Sequence, residues 1–207
     1  MIEDGETGDR PTIWTIGHGT RSKLELAALL HAAGIENLVD IRRFPGSHRN
    51  PQFSRERLAV ELPAAGIDYE WRGDELGGRR ALGLGNRQTS WTNRAFRAYA
   101  AHMESADFRT ALAVLEAETA AGRRLALMCA ETLWWRCHRR LIADALMLDG
   151  FEVRHLIDHV PGQLHRLHPG ARRDDAGALV YDGVVRQLDS VGLLPDGLTP
   201  RPRESRD

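Results

Sequence analysis

Five short apolar runs, TIWTIG, NLVDIR, IDYEW, RLALMC and EVRHLI, recur along the chain, and the segments between them carry apolar residues at helical spacing. This alternation constrains the fold more than any other feature. A short apolar run without polar alternation suits a strand covered on both faces. The intervening segments supply the covers. SKLELAALLHAAG places Leu26, Leu29, Leu30 and Ala33 on one face, behind a capping box of Ser22 and Glu25. SRERLAVELPAAG opens at Ser54, and a long glycine-rich loop leads to helices over Arg94–Met103 and Asp107–Ala121. The second of these buries Phe108, Ala111, Leu112 and Leu115, and a further helix over Cys137–Leu148 carries Leu141, Ile142, Ala145 and Leu148 at helical spacing. The pattern predicts an α/β fold: a single three-layer, Rossmann-like domain, its sheet mainly parallel with helices on both faces. Right-handed crossovers then bring every strand's carboxyl end to one rim, where ligands bind in such sheets.

The domain is expected over 12–195, between a polar, disordered leader at 1–11 and a disordered charged tail at 196–207. Near its end, ALVYDGVVRQL fits a strand or a short helix equally. At 207 residues the chain can bury one sizeable core. Two cysteines are too few for a disulfide scaffold and suit a reducing compartment. No apolar run is long enough to span a membrane, and the acidic start is the opposite of a signal peptide. Cytoplasmic residence without a membrane partner is therefore expected. A net charge of -1 gives no global basic signal, so any nucleic-acid binding must come from a local patch.

Three distant peptides should meet on the rim. GHGT delivers His18 and Thr20, while DIRRFPGSHRNPQFS delivers Asp40, Arg42, Arg43, Phe44, Ser47, His48 and Arg49. CAETLWWRCHRR delivers Cys129, Glu131, Trp134, Trp135, Cys137, His138 and Arg139. Each has a structural alternative. His18 can cap a turn, Asp40 can pair with Arg42 or Arg43, both cysteines can be small core residues, and the two tryptophans can pack a helix start. The second peptide is harder to read as inert. Arg42, Arg43, Arg49, Arg55 and Arg57 face only Glu56, with Phe44 and Phe53 interleaved. Guanidinium forks grip phosphates and aromatic rings stack on bases, so this loop is a candidate nucleic-acid surface.

Several chemistries are excluded by spacing. Six residues separate Cys129 from Arg136, one more than the phosphate cradle of cysteine phosphatases uses. The seven-residue gap between Cys129 and Cys137 is not that of the usual zinc modules, there is no zinc-deaminase signature, and LGLGNR lacks the lysine of a P-loop. No metal and no other cofactor is expected.

TIGHGTRS, LVDIRRFPGSHRNPQFS, LGG at 76–78, FRAYAAHM and LMCAETLWWRCHR together resemble the domain-of-unknown-function 488 family, over about residues 12–157. Gly19 stands where that family's first motif has serine. LGNR at 84–87, FRAYAAHM and LMCAE with CHRRLIADAL are also similar to the domain-of-unknown-function 4326 family, whose members resemble DNA glycosylases acting on oxidised pyrimidines. That resemblance marks Gly85, Asn86, Cys129, Cys137 and His138. Arg87 replaces the family's proline and Glu131 the second cysteine of its Cys-x-Cys pair.

The resemblance implies a nucleic-acid base-processing enzyme, most concretely a DNA glycosylase that cuts the N-glycosidic bond of a flipped base, with DNA favoured over RNA as partner. Such chemistry needs a carboxylate, donors for the departing base, a stacking slot and phosphate grips. Asp40 is the first choice of carboxylate and Glu131 the second. Asn86 and His138 are the candidate base readers, and Trp134, Trp135 and Phe44 the candidate stacking groups. Arg42, Arg43 and Arg49 are the phosphate grips, and His18, Ser47 and Arg139 complete the substrate-binding candidates. Lys23, the single lysine, falls in the first turn of a helix, so the expected activity is monofunctional, with no Schiff base. Two other classes compete. One is a thiol-dependent transferase or hydrolase of a small anion, with Cys129 as nucleophile beside Arg136, Arg139 and a helix N-terminus. The other is a module that binds a nucleotide or modified base without turnover.

Overall fold

A computed structural model describes residues 10–46, 50–83 and 87–182. Five strands run parallel: β1 (Thr12–Gly17), β2 (Asn37–Asp40), β3 (Asp68–Trp71), β4 (Leu125–Cys129) and β5 (Glu152–Leu156). A two-residue β6 (Gln163–Leu164) pairs antiparallel with β5, and the order across the sheet is β3-β2-β4-β1-β5-β6. The chain steps from β1 through β2 to β3 in one direction, then returns through β4 to β5. Right-handed crossovers therefore put α1 (Lys23–Ala32) and α2 (Arg55–Ala64) on one face. The single-turn α3 (Gly73–Leu76), α4 (Arg94–His102), α5 (Ala106–Ala120) and α6 (Arg139–Leu148) cover the other.

Alternation along each strand divides the core in two. Leu26 and Leu30 of α1 and Leu58 and Leu62 of α2 close on Trp14, Ile16, Leu38, Ala126 and Met128. On the opposite face Phe108, Leu115, Leu141 and Ile142 close on Ile13, Val39, Leu127 and Val153. Every position of β4 is buried, which is why its sequence shows no polar alternation. The capping box at α1 is present: Glu25 N–H donates to Ser22 Oγ at 3.2 Å, and Ser22 N–H to Glu25 Oε2 at 2.6 Å. Ser54 caps α2 by accepting from Arg57 N–H, and Asn93 caps α4 by accepting from Ala95 and Phe96 N–H. Among the described residues no helix is long and apolar enough to cross a membrane.

Besides the short β6, two regions go beyond the sequence pattern. The glycine-rich loop contains α3, and the undecided ALVY segment is β8 (Leu179–Tyr181), which pairs with β7 (Ala171–Arg173) in a separate two-stranded sheet. A buried polar network holds this hairpin to the domain. Asp144 of α6, with no exposed surface, accepts from His165 Nε2 at 2.9 Å, His168 N–H at 2.8 Å and Tyr181 O–H at 2.9 Å. His165 Nδ1 lies 3.0 Å from His155 Nε2, and His155 Nδ1 lies 2.7 Å from Thr15 Oγ1 of β1. Residues 1–9 of the leader, the tail and residues 183–195 lie outside the described residues.

Removing the acceptor at the centre of this network strands three donors in the core. Asp144→Ala is expected to destabilise the protein by about 3–5 kcal/mol, the range for breaking a buried charged partnership. Urea denaturation measures it. A midpoint within error of wild type would show that the carboxylate does not organise the hairpin.

Candidate functional site

At the carboxyl end of the sheet β1 and β4 lie side by side, yet their chains leave toward opposite faces, one into α1 and the other into α6. That divergence opens a crevice. Close backbone contact sets its base. His18 N–H donates to Cys129 O and Gly19 N–H to Ala130 O, both at 2.9 Å. A Cβ on Gly17 would lie 1.9 Å from the Glu131 carbonyl oxygen, so no other residue fits there. Gly19, which replaces the expected serine, has φ +53, and a Cβ there would lie 2.0 Å from Thr132 Oγ1. Its backbone conformation favours glycine, and a side chain there would force Thr132 to move.

Above this seam lies a cleft of about 630 Å³. Its aromatic walls are Phe44, Phe96 and Tyr99, and Arg43, Arg79 and Arg136 bring positive charge to it. Arg79 adopts φ 58, an uncommon conformation for a residue with a side chain, and Arg43 Nη1 holds its carbonyl at 2.9 Å. Glu131, exposed, stands at the cleft with Thr132. Cys129, Cys137 and His138 complete the lining.

The two sulfurs lie 3.1 Å apart, and His138 Nδ1 lies 3.5 Å from Cys137 Sγ and 4.0 Å from Cys129 Sγ. The hydrogen bond with Cys137, together with burial, pushes the Cys129 thiol up to about 12. Burial also opposes ionisation of Cys137, but the bond from Cys129 and the charge and N–H of Arg139 outweigh it and bring that thiol down to about 6. Of the pair, Cys137 is the thiol that ionises more readily. His138 Nε2 is buried without a hydrogen-bond partner. Tyr99 packs its ring 4.9 Å from His138 and donates its O–H to Leu76 O at 2.6 Å.

Of the residues singled out in the sequence, Thr20, Arg42, Arg43, Phe44, Cys129, Glu131, Arg136, Cys137 and His138 line this cleft. Asp40 does not. It is fully buried and accepts from Arg42 N–H at 3.0 Å, Arg42 Nε at 2.8 Å, Arg42 Nη2 at 2.6 Å and Tyr69 O–H at 2.8 Å. The pairing of Asp40 with Arg42 is the alternative that the geometry realises. Arg42 is largely spent as well, since Nη2 also reaches Phe53 O at 2.8 Å and Nη1 lies 3.2 Å from His18 Nε2. His18 stacks on Phe53 with ring centroids 4.4 Å apart, behind the cleft wall.

Trp134 is buried, stacks on His155 at 4.3 Å and donates to Gln163 Oε1 at 3.0 Å, so it packs the domain rather than a ligand. Trp135 meets it edge-on at 5.6 Å. Arg139 is buried beneath the loop after β4, donating to the carbonyls of Glu131 and Thr132. Ser47, His48, Arg49, Gly85 and Asn86 lie outside the described residues. Phe96 and Tyr99 were not singled out as site residues, although FRAYAAHM puts them three apart, on one face of α4.

The fold and its crevice define an open, doubly wound α/β protein with its site at the switch point of the sheet. Within that class the chain belongs to the family described as a domain of unknown function, DUF488, whose model matches residues 24–146. No curated protein and no solved structure matches the chain.

Two outcomes follow from the buried wall. Asp40→Asn leaves Arg42 buried without its counter-charge and should cost about 3–5 kcal/mol, read as a lower denaturation midpoint. A variant as stable as wild type would free Asp40 for another role. Burial, then the Arg42 charge, lower His18 from 6.5 to about 4, so the imidazole is neutral in the folded protein. The unfolded chain binds the extra proton first. Stability from His18 is therefore full above about pH 6.5 and is lost as pH falls toward 4. His18→Gln should flatten stability against pH across that window, and an unchanged slope would contradict the assignment.

Proposed function

We propose that the cleft receives a nucleobase turned out of its stack, and that the protein hydrolyses the N-glycosidic bond of a damaged or modified base. One observation carries this reading: a single cleft of about 630 Å³ combines aromatic walls, an exposed carboxylate and guanidinium groups. Phe44 and Phe96 supply faces for a base. Arg43, Arg79 and Arg136 supply forks for the flanking phosphates.

With Asp40 enclosed by Arg42 and Tyr69, the carboxylate role passes to Glu131. Glu131 takes a proton from water as the water oxygen bonds to C1′. The electron pair of the C1′–N bond leaves with the base, which takes up that proton. The same negative charge opposes the oxocarbenium-like cation that develops on the sugar. Lys23 takes no part, since its Nζ is paired with Glu61 Oε2 at 2.7 Å on the helical face of the domain. The strand therefore stays intact and an abasic site accumulates.

The test is a panel of single-stranded and duplex oligonucleotides, each with one altered base, scored for sites that break only after alkali. Glu131→Gln should lower turnover by about 10²–10⁴-fold, the usual contribution of a general base, while binding persists. Changing Arg43, Arg79 and Arg136 to alanine should flatten the salt dependence of duplex binding by about 0.9 in logarithmic slope per lost phosphate contact. Wild-type protein that opens no site on any lesion, or Glu131→Gln protein with full turnover, defeats the reading.

A further inference from the structure

We propose that Cys129 Sγ, Cys137 Sγ and His138 Nδ1 bind one zinc-class divalent ion in the cleft, with the fourth coordination position open. The inference goes beyond the glycosidic reading and does not rest on it.

The geometry is the first argument. The three donor atoms lie within 4.8 Å of one another. A tetrahedral site with Zn–S of about 2.3 Å and Zn–N of about 2.0–2.1 Å has edges of about 3.8 Å between sulfurs and about 3.5 Å between sulfur and nitrogen. The sulfur–nitrogen separations here are 3.5 and 4.0 Å, and the sulfurs are 3.1 Å apart. Small side-chain rotations that part the sulfurs complete three corners of the tetrahedron.

The chemistry of the donors is the second. Two thiols and an imidazole select zinc-class ions over magnesium or calcium, which take oxygen ligands. On binding, each thiol releases its proton to solvent, and two thiolates balance the charge of the ion. With Nδ1 on the metal, His138 Nε2 becomes the N–H. That atom is buried and unpartnered, a donor left for a water or a bound group.

Placement is the third. Cys129 ends β4 and His138 caps α6, so a rigid strand end and helix start hold the donors rather than a free loop. All three residues line the cleft, and Glu131 stands at the same cleft. Structural zinc sites close with four protein ligands, whereas three ligands and an open side are the pattern of reactive sites. Such an ion would supply an activated water or a Lewis acid where the carboxylate is already in place. The sequence conceals the site because one ligand leaves a strand and the other two open a helix, across a loop that no standard zinc module contains.

The experiment is cobalt(II) titration of the full-length protein, reduced and stripped of metal by chelator. One equivalent should produce thiolate-to-cobalt charge transfer and the visible absorption of a tetrahedral ion, and zinc should displace it. Cys129→Ser and Cys137→Ser should each remove about half of the charge-transfer intensity, as expected for two sulfur ligands. Each should also weaken affinity by more than the 10–100-fold typical of losing an outer partner of a metal ligand. A second measurement on wild-type protein covers the case in which these variants misfold. Both thiols of the stripped protein should react with a disulfide reagent, and one equivalent of zinc should protect both. An octahedral spectrum, an absent charge-transfer band, unprotected thiols, or thiols already oxidised to each other after reduction overturns the proposal. Zinc binding without base excision would leave this site standing and remove the glycosidic reading. Excision that survives complete metal removal, with no cobalt bound, would do the reverse.

Discussion

Arg139 is a cation that is 1% exposed, and a guanidinium cannot shed its proton to escape burial. The rest of the site is arranged around that constraint. Its Nη2 donates to the carbonyls of Glu131 and Thr132, and its Nη1 to Thr15 Oγ1 at 3.2 Å. Thr15 in turn faces His155, His155 faces His165, and His165 donates to the buried carboxylate of Asp144. One chain of hydrogen bonds thus runs from a buried positive charge to a buried negative one, both on α6. Along its path it ties the loop after β4 to β1, to β5 and to the segment that leads to the C-terminal hairpin. An exposed pair such as Arg172–Asp182 is screened by water and contributes little, whereas a buried charge left unpaired is costly. The network, not the surface pairs, therefore fixes the loop that carries Glu131.

A second buried cation works on the other side of the crevice. Arg42 joins Asp40, Phe53 and His18, and Tyr69 seals the remaining carboxylate position. The arginines thus divide by burial. Arg139 is absorbed in shaping the crevice, and Arg42 reaches the cleft wall with its guanidinium already paired, while Arg43, Arg79 and Arg136 bring the remaining charge to the cleft. A chain rich in arginine does not spend all of it on one task. The density of arginine in the sequence overstates the charge a ligand meets.

The layered fold could be read from the sequence because apolar periodicity records which side chains leave water. The strands and the stripe on α5 follow from it, and the α1 capping box follows from the spacing of Ser22 and Glu25. The hairpin and its anchor do not. Asp144, His155 and His165 are polar types that a periodicity argument assigns to solvent, and only their mutual hydrogen bonds make burial tolerable. The site divides in the same way. Topology alone brings the ends of β1, β2 and β4 together, but it does not say which side chain at each end faces the ligand. Asp40 lies on the α1–α2 side of the sheet with Phe53 and Tyr69, whereas Cys129 lies with α6, a difference set by alternation along the strand. Trp134 shows the same division. Trp134 is aromatic and near the rim, yet its stacking partner is a histidine of the core.

The cleft unites two kinds of surface. Cys129, Cys137 and Tyr99 are members of the core cluster beneath α4, α5 and α6, so the groups they present stand on the packed side of the cleft, where only small side-chain rotations are open to them. Phe44 is 61% exposed and Arg79 is exposed, and both lie on loops beyond the strand ends. A ligand group pressed against the core side meets donors that have little room to rearrange. One at the loops meets long side chains that rearrange at little cost. Discrimination between ligands belongs to the first surface, because a misplaced polar atom there stays unpaired in a buried place. Charge attraction, and with it the rate of encounter, belongs to the second.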